Sequence, residues 1–290
     1  MITLNDIVST SIPSFIDTLS INKNAFKLQS YVDLNMSWLQ KFSQIIFSLN
    51  GDHQVCQNFI NEFKIKYPNI EPILLLSESN LGHTFGILDT DRQIYEYCRD
   101  TKNRDIQYVW KFSGDVIAND TIFDIEIDDS CDFFYINNVG TPSLINTTKE
   151  QLLEDMMSQK YFYPQTNYYI YKNKIQRWYP PRDNIIKLKN MYDEIKKEHP
   201  NYYPWDAISK EDAGLPADAN SGCACEAFLA QTVIENNLKK QCLLSREDTK
   251  KILDLIDEYR IGDGSHKNIL YTNVGGLCHY HIMNGQAVPI

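Results

Sequence analysis

The sequence predicts an α/β fold with a doubly wound, mostly parallel central sheet and helices on both of its faces. Three apolar runs typical of strands, Gln44–Leu49, Pro72–Ser77 and Ile106–Phe112, are separated by segments with helical periodicity at about 54–67 and 88–100. Parallel strands need a crossover connection, so this alternation of strand and helix indicates a parallel sheet. The unbroken apolar run at 72–77 also indicates a strand that is covered on both faces.

Further elements are expected on both sides of this core. We predict a short helix or turn at 119–123, helices at 147–159, 184–199, 225–235 and 246–259, and strands at 131–138 and 168–171. Residues 1–40 neither alternate cleanly nor keep a helical stripe, so we expect an arm that packs on the main domain. The rest is predicted to be a single large domain.

Composition and charge exclude several classes of protein. The chain has 290 residues, of which 43% are hydrophobic and 23% charged, as in soluble globular domains. Its formal charge of -10 argues against a protein that lives on nucleic acid or anionic lipid. No apolar run is long enough to span a bilayer, and the N-terminus lacks the pattern of a signal peptide, so we expect a cytoplasmic protein. Seven scattered cysteines indicate reduced, mostly buried thiols.

Polar side chains and glycines follow each of the three core strands. The segments are Asn50-Gly51-Asp52, Asn80-Leu81-Gly82 and Ser113-Gly114-Asp115. In open α/β sheets, ligands bind outside the carboxyl ends of the strands, so these segments are expected to meet at one site. Asp115 offers oxygen ligands to a hard cation such as Mg²⁺ or Mn²⁺. Taken alone, however, Ser-Gly-Asp is also an ordinary turn sequence.

Together with the late carboxylate Glu226, these segments resemble the nucleotide-sugar-dependent glycosyltransferases of the GT-A fold, which is Rossmann-like, and among them the family-2-like enzymes. The resemblance covers roughly residues 41–140. It implies that one group of residues binds the donor nucleotide: Asn50 and Asp52 at the base and ribose, Asn80 and Gly82 in the nucleotide pocket, and Ser113, Gly114 and Asp115 at the diphosphate. The sequence departs from the family pattern at Ser113, which stands where the first carboxylate of an Asp-x-Asp motif is expected.

The resemblance also implies a cation site and a catalytic base. Asp115 would hold Mn²⁺ or Mg²⁺, with His279 and His281 as further candidate ligands, and Glu226 would take the proton of the acceptor hydroxyl. Each of these candidates has a plainer alternative. Glu226 can simply favour the N-terminus of its own helix, and His281 can be a core residue.

The long loop before the late helix carries three aromatic residues, Tyr202, Tyr203 and Trp205. These side chains suit stacking on sugar rings, as part of an acceptor site or a lid. They could equally pack on the core of the domain.

The predicted function is transfer of a sugar from a UDP- or GDP-sugar to a hydroxyl of a carbohydrate acceptor. The expected organisation is an N-terminal arm at 1–40, a nucleotide-sugar-binding half at 41–145 and an acceptor-binding half at 146–290. Two alternatives remain: a catalytically inactive GT-A-like module that binds a glycan or a protein partner, and a sugar-phosphate nucleotidyltransferase. The second usually has a glycine-rich phosphate loop after its first strand, and Asn50-Gly51-Asp52-His53 is not such a loop.

Overall fold

The structure is a computed structural model that describes ten stretches of the chain. They are residues 1–19, 24–77, 81–100, 105–113, 116–118, 120–137, 147–200, 224–258, 277–283 and 286–289.

Within these residues, seven strands form the central sheet. In chain order they are β2 (Ser11–Leu19), β3 (Gln44–Gly51), β4 (Glu71–Leu76), β5 (Tyr108–Ser113), β8 (Phe133–Asn137), β9 (Pro164–Lys172) and β10 (Lys240–Cys242). Two small sheets flank the central one. One pairs β1 (Ile2–Thr3) with β7 (Glu126–Ile127), and the other joins β6 (Val116–Ala118), β11 (Leu277–Met283) and β12 (Gln286–Pro289).

The spatial order of the central sheet is β10-β8-β9-β5-β2-β3-β4. All neighbouring pairs are parallel except the two that β9 makes with β5 and β8, so β9 alone of these seven strands runs against the others. The predicted α/β class with a mostly parallel sheet is therefore confirmed. The chain adds strands on one side of β2 as far as β4 and then places β5 on the other side, so the strand order reverses between β2 and β5.

Helices cover both faces of the sheet. Among the described residues they are α1 (Leu4–Ile7), α2 (Asn24–Leu39), α3 (His53–Lys66), α4 (Gly82–Asp100), α5 (Lys149–Met157), α6 (Arg182–Glu198), α7 (Ala224–Glu235) and α8 (Arg246–Glu258). The short 3-10 helix at Asp120–Asp124 lies where the sequence indicates a helix or turn. The predicted helices are found, although α4 begins at Gly82, six residues earlier than expected.

The alternation of side chains along β5 shows how the two faces are built. Trp110 and Phe112 point to the face covered by α2 and α3, where Phe112 lies 5.4 Å from Phe15 and 4.8 Å from Trp38 between ring centroids. Val109 points to the opposite face, together with residues of α4 and α7. Both clusters are apolar and buried, which supplies the main driving force for assembly of the layers.

The prediction for residues 1–40 is wrong for Ser11–Leu19, which form the central strand β2 and not an external arm. The segment lacks an alternating pattern and a helical stripe, but a parallel strand that is covered on both faces does not have to alternate. It also contains Pro13, which cannot donate to a ladder. In the structure, β2 pairs with β3 only from Ser14 onward. The Thr10 carbonyl accepts from the Gln107 N–H, so the backbone groups of Thr10 and of every second residue after it point toward β5. The missing N–H of Pro13 therefore points toward β3 ahead of the ladder, where no bond is lost.

Candidate functional site

The candidate site lies at the carboxyl ends of β2 and β5, where the strand order reverses. Ligands of open α/β sheets bind in the crevice that such a reversal leaves. Ser113, the last residue of β5, pairs with Ile16, whereas β2 continues to Leu19 alongside β3. The end of β2 thus extends beyond β5 and forms one side of the crevice.

Asn50 ties the end of β3 to the start of α4. Its side-chain oxygen accepts a hydrogen bond from the Leu81 N–H at 2.9 Å, and its amide donates to the Gly82 carbonyl at 3.0 Å. Asn50 is fully buried, and a Cβ built on Gly86 would lie 2.4 Å from its amide nitrogen. Gly86 therefore leaves the space that Asn50 occupies. Asn50 therefore holds the backbone at 81–82. Its predicted contribution to the nucleotide site, through this backbone, stays a prediction.

Gly51 and Asp52 shape the turn after β3. Gly51 has a φ of +138°, and a Cβ there would lie 1.8 Å from the Leu19 carbonyl oxygen, so only glycine fits. The Asp52 N–H donates to that carbonyl at 2.8 Å, and the Asp52 carboxylate caps α3 by accepting from the Val55 N–H at 3.0 Å. Asp52 thus has a structural role, and its contact with the nucleoside stays a prediction.

Ser113 points toward the face covered by α4 and α7 and binds a neighbouring strand. Its hydroxyl donates to the side-chain oxygen of Asn167 on β9 at 3.2 Å. Gly114 and Asp115, which follow it, lie outside the described residues, as do Asn80, Tyr202, Tyr203 and Trp205.

The two candidate histidines lie on β11, which pairs antiparallel with β6. His279 pairs with Val116, the residue that directly follows Asp115, whereas His281 pairs with Val288 of β12. The backbone of His279 therefore lies beside the residue that follows Asp115, and His281 is two residues further along the strand. In the part of the chain that the structure describes, no group of three or more His, Cys, Asp or Glu side chains could hold a metal ion.

Glu226 lies in the first turn of α7 and is 9% exposed. One of its oxygens accepts a hydrogen bond from the Thr166 hydroxyl of β9 at 3.1 Å. The other oxygen is buried and has no hydrogen-bond partner among the described residues. A buried carboxylate oxygen without a partner is costly, and such groups occur where a ligand or a proton is received.

Residues on β8 and β9 that the sequence analysis did not single out complete this region. Thr166 and the adjacent Asn167 connect Glu226 to Ser113 through hydrogen bonds on one strand. Gln165 donates to the Asn137 carbonyl at 3.2 Å, and the Asn137 amide nitrogen is also buried with no partner among the described residues. The polar run 165–167 within an aromatic segment is a signal that could have pointed to them.

A buried ion pair lies beneath the crevice, between β5 and α4. The Lys111 ammonium is 3.9 Å from an Asp91 oxygen and 5.4 Å from the centre of the Tyr169 ring. Burial raises the pKa of Asp91 to about 6, although the Lys111 charge and the Tyr169 hydroxyl both act to lower it. Lys111 therefore faces α4 from inside the sheet.

No family model matches the chain, and no curated protein matches it in sequence. Among solved structures, it is similar to the galactosyltransferase LgtC in complex with donor and acceptor sugar analogues, at 10% identity and a TM-score of 0.38 over 70% of this chain and 68% of that one. An active-site mutant of LgtC matches at 10% identity and a TM-score of 0.44, over 93% and 86% of the two chains. The mannosyltransferase PcManGT from Pyrobaculum calidifontis, in complex with GDP-Man and Mn²⁺, matches at 10% identity and a TM-score of 0.42, over 88% and 65%. All three are structures of glycosyltransferases.

None of the described helices combines the length and the apolar composition that a membrane span needs.

Proposed function

We propose that this protein is a glycosyltransferase that moves a sugar from a UDP- or GDP-sugar to a hydroxyl of a carbohydrate acceptor, assisted by a divalent cation. The observation that carries the proposal is the Glu226 carboxylate, which is buried at the edge of the crevice with one oxygen unpaired among the described residues. Thr166 and Asn167 connect it to Ser113, at the point where the sheet topology favours ligand binding.

The residues near the end of β5 fit a hard cation that is bound mainly through substrate phosphates. Asp115 supplies carboxylate oxygens, and the register of β11 brings the backbone of His279 beside the next residue. One or two protein carboxylates suffice for Mg²⁺ or Mn²⁺ when phosphates and waters complete the coordination, so Ser113 in place of a first carboxylate is compatible with such a site. The cation would stabilise the charge of the departing nucleoside diphosphate.

Protein side chains would supply the catalytic base, the nucleotide side of the crevice and the contacts with sugar rings. Glu226 takes the proton from the acceptor hydroxyl through its unpaired oxygen, while the Thr166 hydroxyl fixes the orientation of the carboxylate through the other. Asn50 keeps the backbone at 81–82 against the end of β3, which shapes the nucleotide side of the crevice. Aromatic residues of the loop, Tyr202, Tyr203 and Trp205, would stack on sugar rings.

Thermal unfolding with nucleoside diphosphates tests the proposal. A ligand that binds the folded state raises its stability, so UDP or GDP should raise the melting temperature in the presence of Mn²⁺ and less in its absence. In Asp115→Ala the Mn²⁺-dependent increase and the hydrolysis of nucleotide sugar should both be lost. The matched control is Asp120→Ala, because Asp120 lies five positions later and its side chain is 67% exposed. Unchanged metal dependence in Asp115→Ala would contradict the cation site.

A binding module is the second candidate, and Ser113 is the observation that favours it. Its hydroxyl is bonded to Asn167, so the first carboxylate position carries a neutral side chain that is already engaged. A module of this kind would bind a glycan without turnover. Absence of both transfer and hydrolysis, with any divalent cation and across a panel of nucleotide sugars, would favour it over the enzyme.

A further inference from the structure

The short strand β6 directly follows Ser113-Gly114-Asp115, and both of its edges are held. On one edge β11 pairs with it at Val116, Ile117 and Ala118. On the other edge, no strand of the described residues pairs with it; the side chain of Asn35 from α2 binds its backbone instead.

Asn35 binds β6 in the way that a neighbouring strand would. Its side-chain oxygen accepts from the Ala118 N–H at 2.7 Å, and its amide donates to the Val116 carbonyl at 2.8 Å. The same oxygen accepts from the indole N–H of Trp38 at 2.9 Å, and the same amide donates to the Tyr31 carbonyl at 2.9 Å. Asn35 is fully buried, so the contacts use both donors and both lone pairs of its amide without competition from water.

Helix α2 also contacts the chain on the N-terminal side of Ser113-Gly114-Asp115. Trp38, which is bonded to Asn35, lies against Phe112 with 4.8 Å between ring centroids, and Phe112 directly precedes Ser113. Two residues of one helix, three positions apart, thus hold the chain immediately before and immediately after residues 113–115. The backbone on both sides of residues 114–115 is therefore held by α2.

We propose that Asn35 is a positioning residue that sets the place of Asp115 in the cation and diphosphate site. This inference rests on the proposed function, because it assumes that Asp115 meets the cation. Asn35 acts through the backbone of Val116 and Ala118 and touches neither substrate nor cation. Partners that orient a metal ligand without touching the metal commonly contribute 10- to 100-fold to its affinity.

The chain contains a matched control for this role. Asn236, after α7, donates to the carbonyl four residues earlier, Thr232, and to the Arg177 carbonyl, and its oxygen accepts from the Gln176 and Arg177 N–H groups. Asn35 makes the same kinds of contact, although it is fully buried and Asn236 is half-buried. The segment at 176–177 follows the end of β9 that lies beside the start of β5. Asn236 therefore binds backbone at the amino ends of the parallel strands, whereas the candidate site lies at their carboxyl ends.

The experiment compares Asn35→Leu with Asn236→Leu. Both variants lose the hydrogen bonds of one amide, so both should melt at a lower temperature than the native protein. Only Asn35→Leu should weaken the Mn²⁺-dependent binding of UDP or GDP, measured by calorimetry, by about 10-fold or more. In transfer assays, KM for the donor should rise in Asn35→Leu and stay unchanged in Asn236→Leu. Equal binding constants in the two variants would overturn the inference.

Amide exchange in the native protein keeps the experiment decisive if Asn35→Leu does not fold. In Asn35→Asp the side chain still accepts from Ala118 and Trp38, but its carboxylate faces the Val116 and Tyr31 carbonyls and cannot donate to them, so its affinity should also fall. In the native protein, Mn²⁺ with UDP or GDP should slow exchange of the Ala118 amide and leave the Gln176 amide unchanged. Native affinity in Asn35→Asp, or identical responses of the two amides, would overturn the inference.

The variants also separate this inference from the proposed function. If Asp115→Ala binds Mn²⁺ and nucleotide normally, the proposed cation site is wrong, and the positioning role of Asn35 fails with it. If Asp115→Ala loses binding while Asn35→Leu keeps it, the function stands and the inference alone fails.

Discussion

The carboxylate of Glu226 has two oxygens in different situations. The one that accepts from Thr166 is fixed in place, whereas the other is buried and has no partner among the described residues. A carboxylate held in this way is suited to remove a proton from a hydroxyl, because its orientation does not have to be established during the reaction. The alternative role, favouring the N-terminus of α7, needs a charge but not a buried, unpaired oxygen.

Replacement of Glu226 by Gln separates these roles. Glutamine still accepts from Thr166 but cannot take a proton, so transfer should fall by about 10²- to 10⁴-fold while donor affinity stays near the native value. The measurement is single-turnover transfer beside calorimetric binding of the donor nucleotide. Glu235→Gln, at the exposed end of the same helix, is the control. Native transfer rates in Glu226→Gln would return this residue to a purely structural role.

Asp91 gives a pH dependence whose sign follows from its pKa. The folded protein holds the proton of Asp91 with a pKa of about 6, above the ordinary value of 3.8. Between these values the folded state binds more protons than the unfolded chain, so the contribution of Asp91 to stability is greatest below pH 4 and declines as the pH rises to 6.

The prediction concerns the difference between the native protein and Asp91→Asn, because other carboxylates cancel in it. From pH 4 to pH 7 the native protein should lose up to about 3 kcal/mol of unfolding free energy relative to the variant, the equivalent of two pKa units. Urea unfolding at both pH values measures this difference. A constant difference would show that Lys111 keeps Asp91 ionised throughout the range.

At the scale of elements, the turn after β3 depends on a close contact between strands. Gly51→Ala should destabilise the fold by at least about 2–3 kcal/mol, because the added carbon meets the Leu19 carbonyl and the backbone at φ +138° is unfavourable for other residues. Gly82→Ala is the matched control: the φ of Gly82 is +75°, but no atom of the described residues lies within 4 Å of the added carbon. Its cost should be about 1–2 kcal/mol. Equal costs in urea unfolding would mean that the Leu19 contact relaxes freely.

Elements with a clear period were predictable from the sequence, and those shaped by tertiary contacts were not. β3, β4 and β5 are apolar runs bounded by turn residues, and the structure places them as expected. β2 was missed because residues 11–19 do not alternate, although a strand covered on both faces need not do so. Only the register shows that the missing N–H of Pro13 precedes the ladder. The reversed direction of β9 has no local signal, since strand direction depends on the path of the connections.

For the whole molecule, the convergence of the strand ends was predictable from the order of elements, but the roles of several side chains there were not. The ends of parallel strands converge whatever their sequence, so polar residues at those ends indicate a site. Asn50 and Asp52 are polar residues of this kind, yet in the structure they hold backbone groups. Whether a polar side chain binds backbone in this way depends on which distant part of the chain lies next to it. Asn35, for example, binds Ala118, which is 83 residues away in the sequence.

The central position of β2 determines when the sheet can be completed during synthesis. β3 follows β2 closely and can pair with one of its edges early, but the other edge waits for β5, as the Ser14 hydroxyl bond to the Trp110 carbonyl across 96 positions illustrates. Until the ribosome has released that segment, the nascent protein carries an open edge in the middle of its future sheet. Exposed strand edges attract other strands, so this interval is when the chain most needs protection from aggregation.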